Sequence, residues 1–490
     1  MEKAENKTHS IKYNALMNVI LTASSFLYPL ITFPYVSRVL LVAGNGKVNF
    51  AASVANYFMM VASLGIPTYG VRACAQVRDN KDELSKTAQE ILIINLIATV
   101  LVSITYIICV FTIPRFSQDK VLFFIEGINI VLNMFGANWL YQALEKYDYI
   151  TIRSIIFKAI SVVLMFMFVH KASNYRVYAF TFVFANVGSN ILNFLRLHRY
   201  ISFKKFSNYN FKKHLGPIFI LFAQNVTVSI YTNLDTVMLG FMRDDTQVGL
   251  YTAAVKFKGL LTGVVVSLGN VLLPRMSFYV KNNLKNEFKQ LMASALNTIF
   301  FLAFPIVIYF LLASRDCILF IAGRQYLGAV LAMQVITLAV LPNGLTGIIG
   351  VQILTPLNRE RQVLYSVIIG ASSDFILNLI MIPFWGATGA ALATTVAEFL
   401  VLIAQVILGR DVLSTVSKDI KFLHYFLLSI IAGLPTFFVF KMLKYPSIIR
   451  LMITFIIYSI IYCFLLYIYK DPILYKALDN KITRRFVRRS

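Results

Sequence analysis

Charge is scarce in this chain. Only 14% of its 490 residues are Asp, Glu, Lys or Arg, against about 25% in a soluble domain. That is too little to clothe a composition that is 58% hydrophobic, with a mean hydropathy of +0.71. A single large soluble core is excluded. Cysteine is also rare: Cys74, Cys109, Cys317 and Cys463 are dispersed, which gives neither a disulfide framework nor metal-ligand spacing. The five histidines, His9, His170, His198, His214 and His424, never approach ligand spacing, and HExxH and GxSxG are absent. GNGK at 44–47 lacks the upstream glycine and the following Ser or Thr of a phosphate loop, so it reads as a turn. No cofactor or metal is indicated. Linkers, low-complexity tracts and soluble insertions are missing, which argues against an ectodomain and against an enzyme carrying catalytic groups on a large loop. Short alternating segments are missing too, so an outer-membrane barrel is not expected.

What the chain does have is repeated apolar runs of about 20 residues, the length that crosses a bilayer core as helix. They predict an all-α polytopic membrane protein with about fourteen spans. The spans are expected near 13–36, 48–66, 88–112, 121–143, 150–169, 175–197, 213–240, 247–274, 289–313, 326–354, 361–384, 386–409, 422–440 and 447–469. The first run is too long for a signal-peptide core and is expected to be retained.

The formal net charge of +24 would suggest nucleic acid in a soluble chain, but here its distribution is a topology signal. With the N-terminus inside, alternate loops and the tail hold 31 of the 46 Lys and Arg residues, the opposite loops 12 and the spans 3. Both termini are therefore expected in the cytoplasm. The basic clusters at 196–214 and 481–489 read as contacts to anionic lipid headgroups, not nucleic-acid sites.

Spans one and two resemble spans seven and eight. SRVL, the turn LVAGNGK and VNFAASVANYF recur in outline as DTVMLG, FMRDDTQ and VGLYTAAVKF, about 200 residues later. Repeats of this kind build many transporters, with the substrate site near the midplane. Spans thirteen and fourteen have no counterpart and look like an appended pair. Domains are expected at 1–206, 207–415 and 416–490.

Function then rests on ionisable groups inside spans, each costing about 2.5–3.5 kcal/mol at the centre of an inserted helix. They are Glu126, Lys158, Asp235, Lys256, Lys258, Asp374 and Glu398, with Arg38 and Arg153 at span ends. Lys256 lies about nine residues into its span, roughly 13 Å deep; it faces a cavity or pairs with Asp235. Arg38 follows Pro29 and Pro34, which can bend its helix, and either binds a diphosphate bidentately or anchors at the interface. Asp374 and Glu398 either couple a proton or sodium ion or neutralise a nearby lysine. GATGAALATT opens span twelve as a close helix contact.

Five segments carry a resemblance: FPYVSRVL at 33–40, ANYFMMVASLGIPTYGVR at 55–72, YTNLDTVMLG at 231–240, VGLYTAAVKF at 248–257 and LNLIMIPFWGATGAALATTVAEF at 377–399. Together they resemble the Wzx-type polysaccharide flippases of the multidrug/oligosaccharidyl-lipid/polysaccharide exporter superfamily. The resemblance implies two six-helix lobes around a central cavity plus two C-terminal helices, working by alternating access. It also implies an undecaprenyl-diphosphate-linked oligosaccharide as substrate, moved between leaflets, with membrane lipids, a polysaccharide polymerase and glycosyltransferases as partners. On matching positions it points to Arg38, Arg72, Asp235 and Lys256. Arg153 and Lys158 join the expected substrate contacts, and Asp235, Asp374 and Glu398 the expected ion-coupling or charge-pairing groups. Val48-Asn49 stand where the family usually has Tyr-Ser. A sugar headgroup cannot cross hydrocarbon unaided, because each unsatisfied hydroxyl costs several kcal/mol. The competing readings are a multidrug efflux antiporter, a lipid II flippase and, from another class, a membrane polysaccharide polymerase.

Overall fold

The computed structural model describes residues 10–267 and 272–475, which form helices and short connections without a strand. The chain divides into two compact units, Met1–Gly249 and Leu250–Ser490. Among the described residues, eleven helical segments are long and apolar enough to cross a membrane.

The first unit opens with α1 (Ile11–Ser63), α2 (Ile66–Gln76), α3 (Lys81–Thr112) and the single turn α4 (Pro114–Ser117). It continues with α5 (Lys120–Gly136), α6 (Asn138–Ala143), α7 (Tyr147–Phe168), α8 (Tyr175–Val183), α9 (Asn190–Arg196) and α10 (Lys212–Met242). Starts follow local chemistry. Asn80 caps α3 by accepting from the amides of Asp82 and Glu83, whose carboxylates suit the positive helix end. Asp119 caps α5 through the Leu122 amide. Pro67 and Pro114 sit in first turns, where a missing N–H costs nothing.

Helix α1 is much longer than one crossing, and it breaks at Leu41 (φ 62°, ψ −177°). This corrects the expected turn: residues 42–47, the AGNGK stretch included, are helical, and one non-glycine residue in a disfavoured conformation makes the bend. A second left-handed residue, Ala137 (φ 40°), separates α5 from α6.

In the first unit α1 packs on α3, α5, α7 and α10, while α2 packs on α6. The GIPTYGVR segment is close-packed against its neighbours. A Cβ on Gly65 would lie 2.3 Å from the Ile218 carbonyl oxygen of α10, and one on Gly70 would lie 2.6 Å from the Trp139 ring of α6. Around them Ile66, Tyr69, Ile91, Leu140, Tyr141 and Ile218 form a buried core. The opposite surface stays apolar: Ile97, Val100, Leu101, Ile104, Ile108 and Phe111 of α3 are exposed, as a lipid-facing helix requires.

The second unit holds most of α11 (Asp245–Ser267), then α12 (Leu273–Lys281), α13 (Lys285–Ile321), α14 (Val330–Thr337), α15 (Val340–Thr346) and α16 (Glu360–Leu408). It ends with α17 (Arg410–Leu413), α18 (Phe422–Met442) and α19 (Ser447–Ile468). The second very long helix, α16, breaks at Gly386 (φ 52°, ψ −126°), at the boundary expected between spans eleven and twelve. GATG is a close contact: a Cβ on Gly389 would sit 2.3 Å from the Met381 carbonyl. The last two helices are fastened along α13. The Tyr309 hydroxyl donates to the Leu451 carbonyl at 2.8 Å and the Tyr462 hydroxyl to the Phe301 carbonyl at 3.0 Å. Arg450 pairs with Asp316 of α13, and Tyr425 of α18 donates to Asp471 just beyond α19 at 2.9 Å.

Candidate functional site

The intramembrane cations of the first unit gather on α7. A ladder of side-chain bonds joins this helix to α1: Thr151 to the Met17 carbonyl (3.0 Å), Lys158 to the Ser24 and Ser25 hydroxyls (3.0 and 2.9 Å), and Tyr28 with Ser161 (2.9 Å). Tyr35 adds a rung to the Val169 carbonyl (2.7 Å). Lys158 thus spends two of its three donors on neutral hydroxyls and, among the described residues, has no carboxylate within ion-pair distance. Beside it, Asn18, Thr22 and Ser25 are exposed and lie within about 60° of each other around α1. The exposed Leu16, Leu27 and Ile31 of that helix point roughly the opposite way, and the exposed Val19, Phe26 and Leu30 to the side between. One half of α1 therefore shows a polar face and a lipid-type face together.

Arg153, 6% exposed, is also without a carboxylate. Its guanidinium donates to the Ser189 carbonyl (3.0 Å) and the Asn138 side-chain oxygen (3.1 Å), and lies over the Tyr149 ring. It ties α7 to the Ala137 break and to the loosened turns before α9. Arg38 is exposed and donates to the Pro34 carbonyl (2.6 Å), just ahead of the Leu41 break. Arg72 is exposed on α2, its guanidinium 5.8 Å from the Tyr69 ring centre. Asp235 is buried on α10.

At the bend of α1, the segment that follows it locks onto the α10–α11 turn. A Cβ on Gly46 would lie 1.7 Å from the Asp245 carbonyl oxygen, and one on Gly249 would lie 2.2 Å from that of Val42. One on Gly240 would enter the Phe50 ring at 2.0 Å. Arg115 closes the contact, pairing with Asp245, donating to the Gly240 carbonyl (2.9 Å) and covering the Phe50 face. Of the two glycines of AGNGK, Gly46 serves this approach.

In the second unit Lys256 is half-buried on α11. Lys258, two residues on, pairs with buried Glu398 of α16 at 3.0 Å, and Asn343 also donates to that carboxylate. Glu398 and Lys258 thus form an ion pair that Asn343 supports. Asp374, 1% exposed, lies on a buried stripe of α16 with Ser366, Gly370 and Asn378. The expected residues thus stand in separate places: Lys158 and Arg153 on α7, Arg38 at the α1 bend, Arg72 on α2, Lys258 with Glu398.

A groove of about 700 Å³ runs along the second unit, walled by Phe300, Phe304, Leu345, Ile349, Phe399 and Phe426. Its lining is almost wholly apolar except at one end, where Arg410, Ser414 and Ser417 stand. Nothing in the sequence marked it, because its walls come from α13, α15, α16 and α18 together. It suits a hydrocarbon chain carrying an anionic end.

Residues 11–280 match the family described as "Polysaccharide biosynthesis protein". The chain belongs to that family. It is 22% identical over 405 residues to a protein of Escherichia coli (strain K12) named "Putative O-antigen transporter", which covers 82% of this chain and 97% of that protein. A protein of the same name from Shigella dysenteriae is 22% identical over 398 residues, 80% of this chain and 98% of its own. Among solved structures, the lipid II flippase MurJ in an inward closed conformation superposes with a TM-score of 0.75 at 18% identity, covering 94% of this chain and all of that one. An inward-facing multidrug resistance MATE family transporter of the MOP superfamily gives 0.58 at 12% identity, over 79% of this chain and 98% of that one. The fold is the one these solved structures share, and the chain is a multi-pass membrane protein of the polysaccharide biosynthesis family.

One polar cluster of this family member escaped the sequence. Glu90 of α3, wholly buried, accepts from His214 (2.7 Å), Lys213 (3.0 Å) and the Asn210 amide (2.7 Å). His214 bonds in turn to the Tyr69 hydroxyl at 2.7 Å. Gln89 holds the Ser202 and Lys204 carbonyls (2.6 and 3.1 Å), so the basic connection before α10 is strapped across α3. These partners are more than a hundred positions apart, and a search for short motifs passes over them.

Proposed function

We propose that this protein carries undecaprenyl-diphosphate-linked oligosaccharide units from the inner to the outer leaflet of the bacterial cytoplasmic membrane by alternating access, supplying surface polysaccharide. The observation that carries this reading is the pair of intramembrane cations on α7, Arg153 and Lys158, which no carboxylate neutralises. An uncompensated positive charge in a span is expensive, and an anionic diphosphate lowers that cost. Lys158, with a free donor beside the polar face of Asn18, Thr22 and Ser25, meets the headgroup. Arg72 and Lys256 are further contacts, and Arg153 holds α7 in place. Arg38 takes the headgroup at the α1 bend. Asp235 and Asp374 serve charge balance, and Glu398 keeps Lys258 neutralised. The polyprenyl tail lies in the apolar groove, with Arg410 at its polar end.

Fourteen crossings follow if the breaks at Leu41 and Gly386 each divide a long helix into two spans and α10 crosses as well. The basic loops then face the cytoplasm, as do both termini. The protein works as a transporter, with glycosyltransferases upstream and a polymerase downstream as functional partners.

The test is a leaflet assay on vesicles holding a defined diphosphate-linked oligosaccharide. Lys158→Ala is expected to insert normally and leave the lipid on its starting leaflet, while Lys158→Arg retains most transport. Normal transport by Lys158→Ala refutes the assignment. Transport of organic cations by the same vesicles, with none of the glycolipid, would favour an efflux antiporter.

A further inference from the structure

Glu126 of α5 is 0% exposed, inside a span. One carboxyl oxygen accepts from the Asn129 amide at 3.0 Å; the other is buried and has no hydrogen-bond partner among the described residues. Nor, among the described residues, does a cation stand within ion-pair distance of it. The elements packed on α5 are α1, α3, α4, α8, α9 and the turns at 184–188; Lys12, Lys81 and Lys86 stand near the starts of α1 and α3, Arg38 donates to the Pro34 carbonyl, and the other basic groups are engaged elsewhere. Lys47 lies over the Tyr175 ring, Arg115 pairs with Asp245, Arg176 with Asp119, and Arg196 lies over the Tyr149 ring. The other titratable groups of those helices are Tyr13, Tyr28, Tyr35 and Tyr57 of α1, Asp82, Glu83, Glu90, Tyr106 and Cys109 of α3, and Tyr175 and Tyr178 of α8. Tyr106 comes close enough to interact with the carboxyl, its own hydroxyl donating to the Phe123 carbonyl at 2.7 Å. Tyr175 is committed to Asp119.

A bare carboxylate in such surroundings costs several kcal/mol, and nothing nearby offsets it. Polar groups nevertheless continue away from it. On α3, Asn95, Thr99, Ser103 and Tyr106 recur at helical spacing along one face, and the Ser103 hydroxyl is another buried group without a hydrogen-bond partner among the described residues. On α5 the stripe is Glu126, Asn129 and Asn133, the last reaching Ser63 of α1 at 2.8 Å.

We propose that Glu126 is a proton-binding site. While α1, α3 and α5 stay closed around it, the carboxyl carries its proton; when that core opens, the proton passes to water along the polar stripe of α3, leaving the carboxylate, and returns from water as the core closes. The proposal stands apart from the transport reading, since it concerns proton occupancy alone.

Infrared spectroscopy of the purified full chain in lipid nanodiscs at neutral pH tests it. The wild type is expected to show the C=O band of a protonated, water-excluded carboxylic acid. Glu126→Gln, which keeps the shape and an acceptor for Asn129, loses that band, and Glu126→Asp shifts it. If the glutamine variant fails to insert, the aspartate variant decides. A wild type without such a band, or a band neither lost in the first variant nor shifted in the second, overturns the proposal.

Discussion

The contact between the α1 segment after Leu41 and the α10–α11 turn offers a quantitative test, because two glycines two positions apart behave oppositely in it. A methyl group at Gly46 would lie 1.7 Å from the Asp245 carbonyl oxygen, whereas at Gly44 the nearest atom, a Leu40 side-chain carbon, is 3.3 Å away. Relieving the first clash requires backbone to move by more than an ångström. The second needs only a few tenths of an ångström, at the Leu40 Cβ. Overpacking of the first kind costs about 1–3 kcal/mol, which shifts the closed contact toward an open one by roughly 5–150-fold. Gly44→Ala should be neutral or slightly stabilising, since alanine favours helix over glycine by about 0.5–1 kcal/mol. Val42→Cys, buried against Gly249 and introduced into a chain lacking the four native cysteines, reports opening through its labelling rate with a membrane-impermeant maleimide. Labelling is expected to rise at least fivefold with Gly46→Ala and to stay at background with Gly44→Ala. Equal labelling in the two variants refutes the packing argument.

Three other outcomes follow from the same geometry. Removing one partner of the buried Lys258–Glu398 pair strands the other: Lys258→Ala should lose about 3 kcal/mol, seen as a lower melting temperature in detergent, while Lys258→Met combined with Glu398→Gln recovers most of it. Arg153→Lys keeps the charge but loses the fork that reaches both Ser189 and Asn138, and a charged hydrogen bond is worth about 1.5–3 kcal/mol; an equally stable variant argues against the positioning role. The Arg359 hydrogen bonds hold the Asp411 carboxyl below its ordinary range. Its tie is therefore complete above the ordinary carboxylate range and lost as pH falls through the lowered value. Protease nicking near Arg359 should rise only in strong acid for the wild type, and already at neutral pH for Asp411→Asn.

Much of the fold was legible because a bilayer restricts the options so severely. Apolar runs of the right length marked nearly every crossing, and Gly386 fell where the GATG cluster placed a close contact. The α1 bend was misplaced for a physical reason. Two glycines and an asparagine in seven residues look like a turn, yet here Gly46 is small because another backbone presses on it, and Leu41 takes the strained conformation instead. Charges were legible as a list but not as partners. Lys258 meets Glu398 across 140 positions and Glu90 meets His214 across 124, distances over which no local pattern speaks. Glu126 stands among the charges expected inside spans; that no described cation reaches it depends on the packing of α5 against its neighbours, which no local pattern carries.

The ladder between α1 and α7 has a mechanical corollary. Every rung lies before Leu41, from Met17 to Tyr35, whereas the glycine contacts to the α10–α11 turn all lie after it. The two halves of one continuous helix therefore answer to different neighbours, with a single strained peptide unit as the joint. A movement that parts the glycine contact would swing residues 42–63 while 11–40 remain riveted to α7, so the lower half acts as a fixed post and the upper half as the leaf of a hinge.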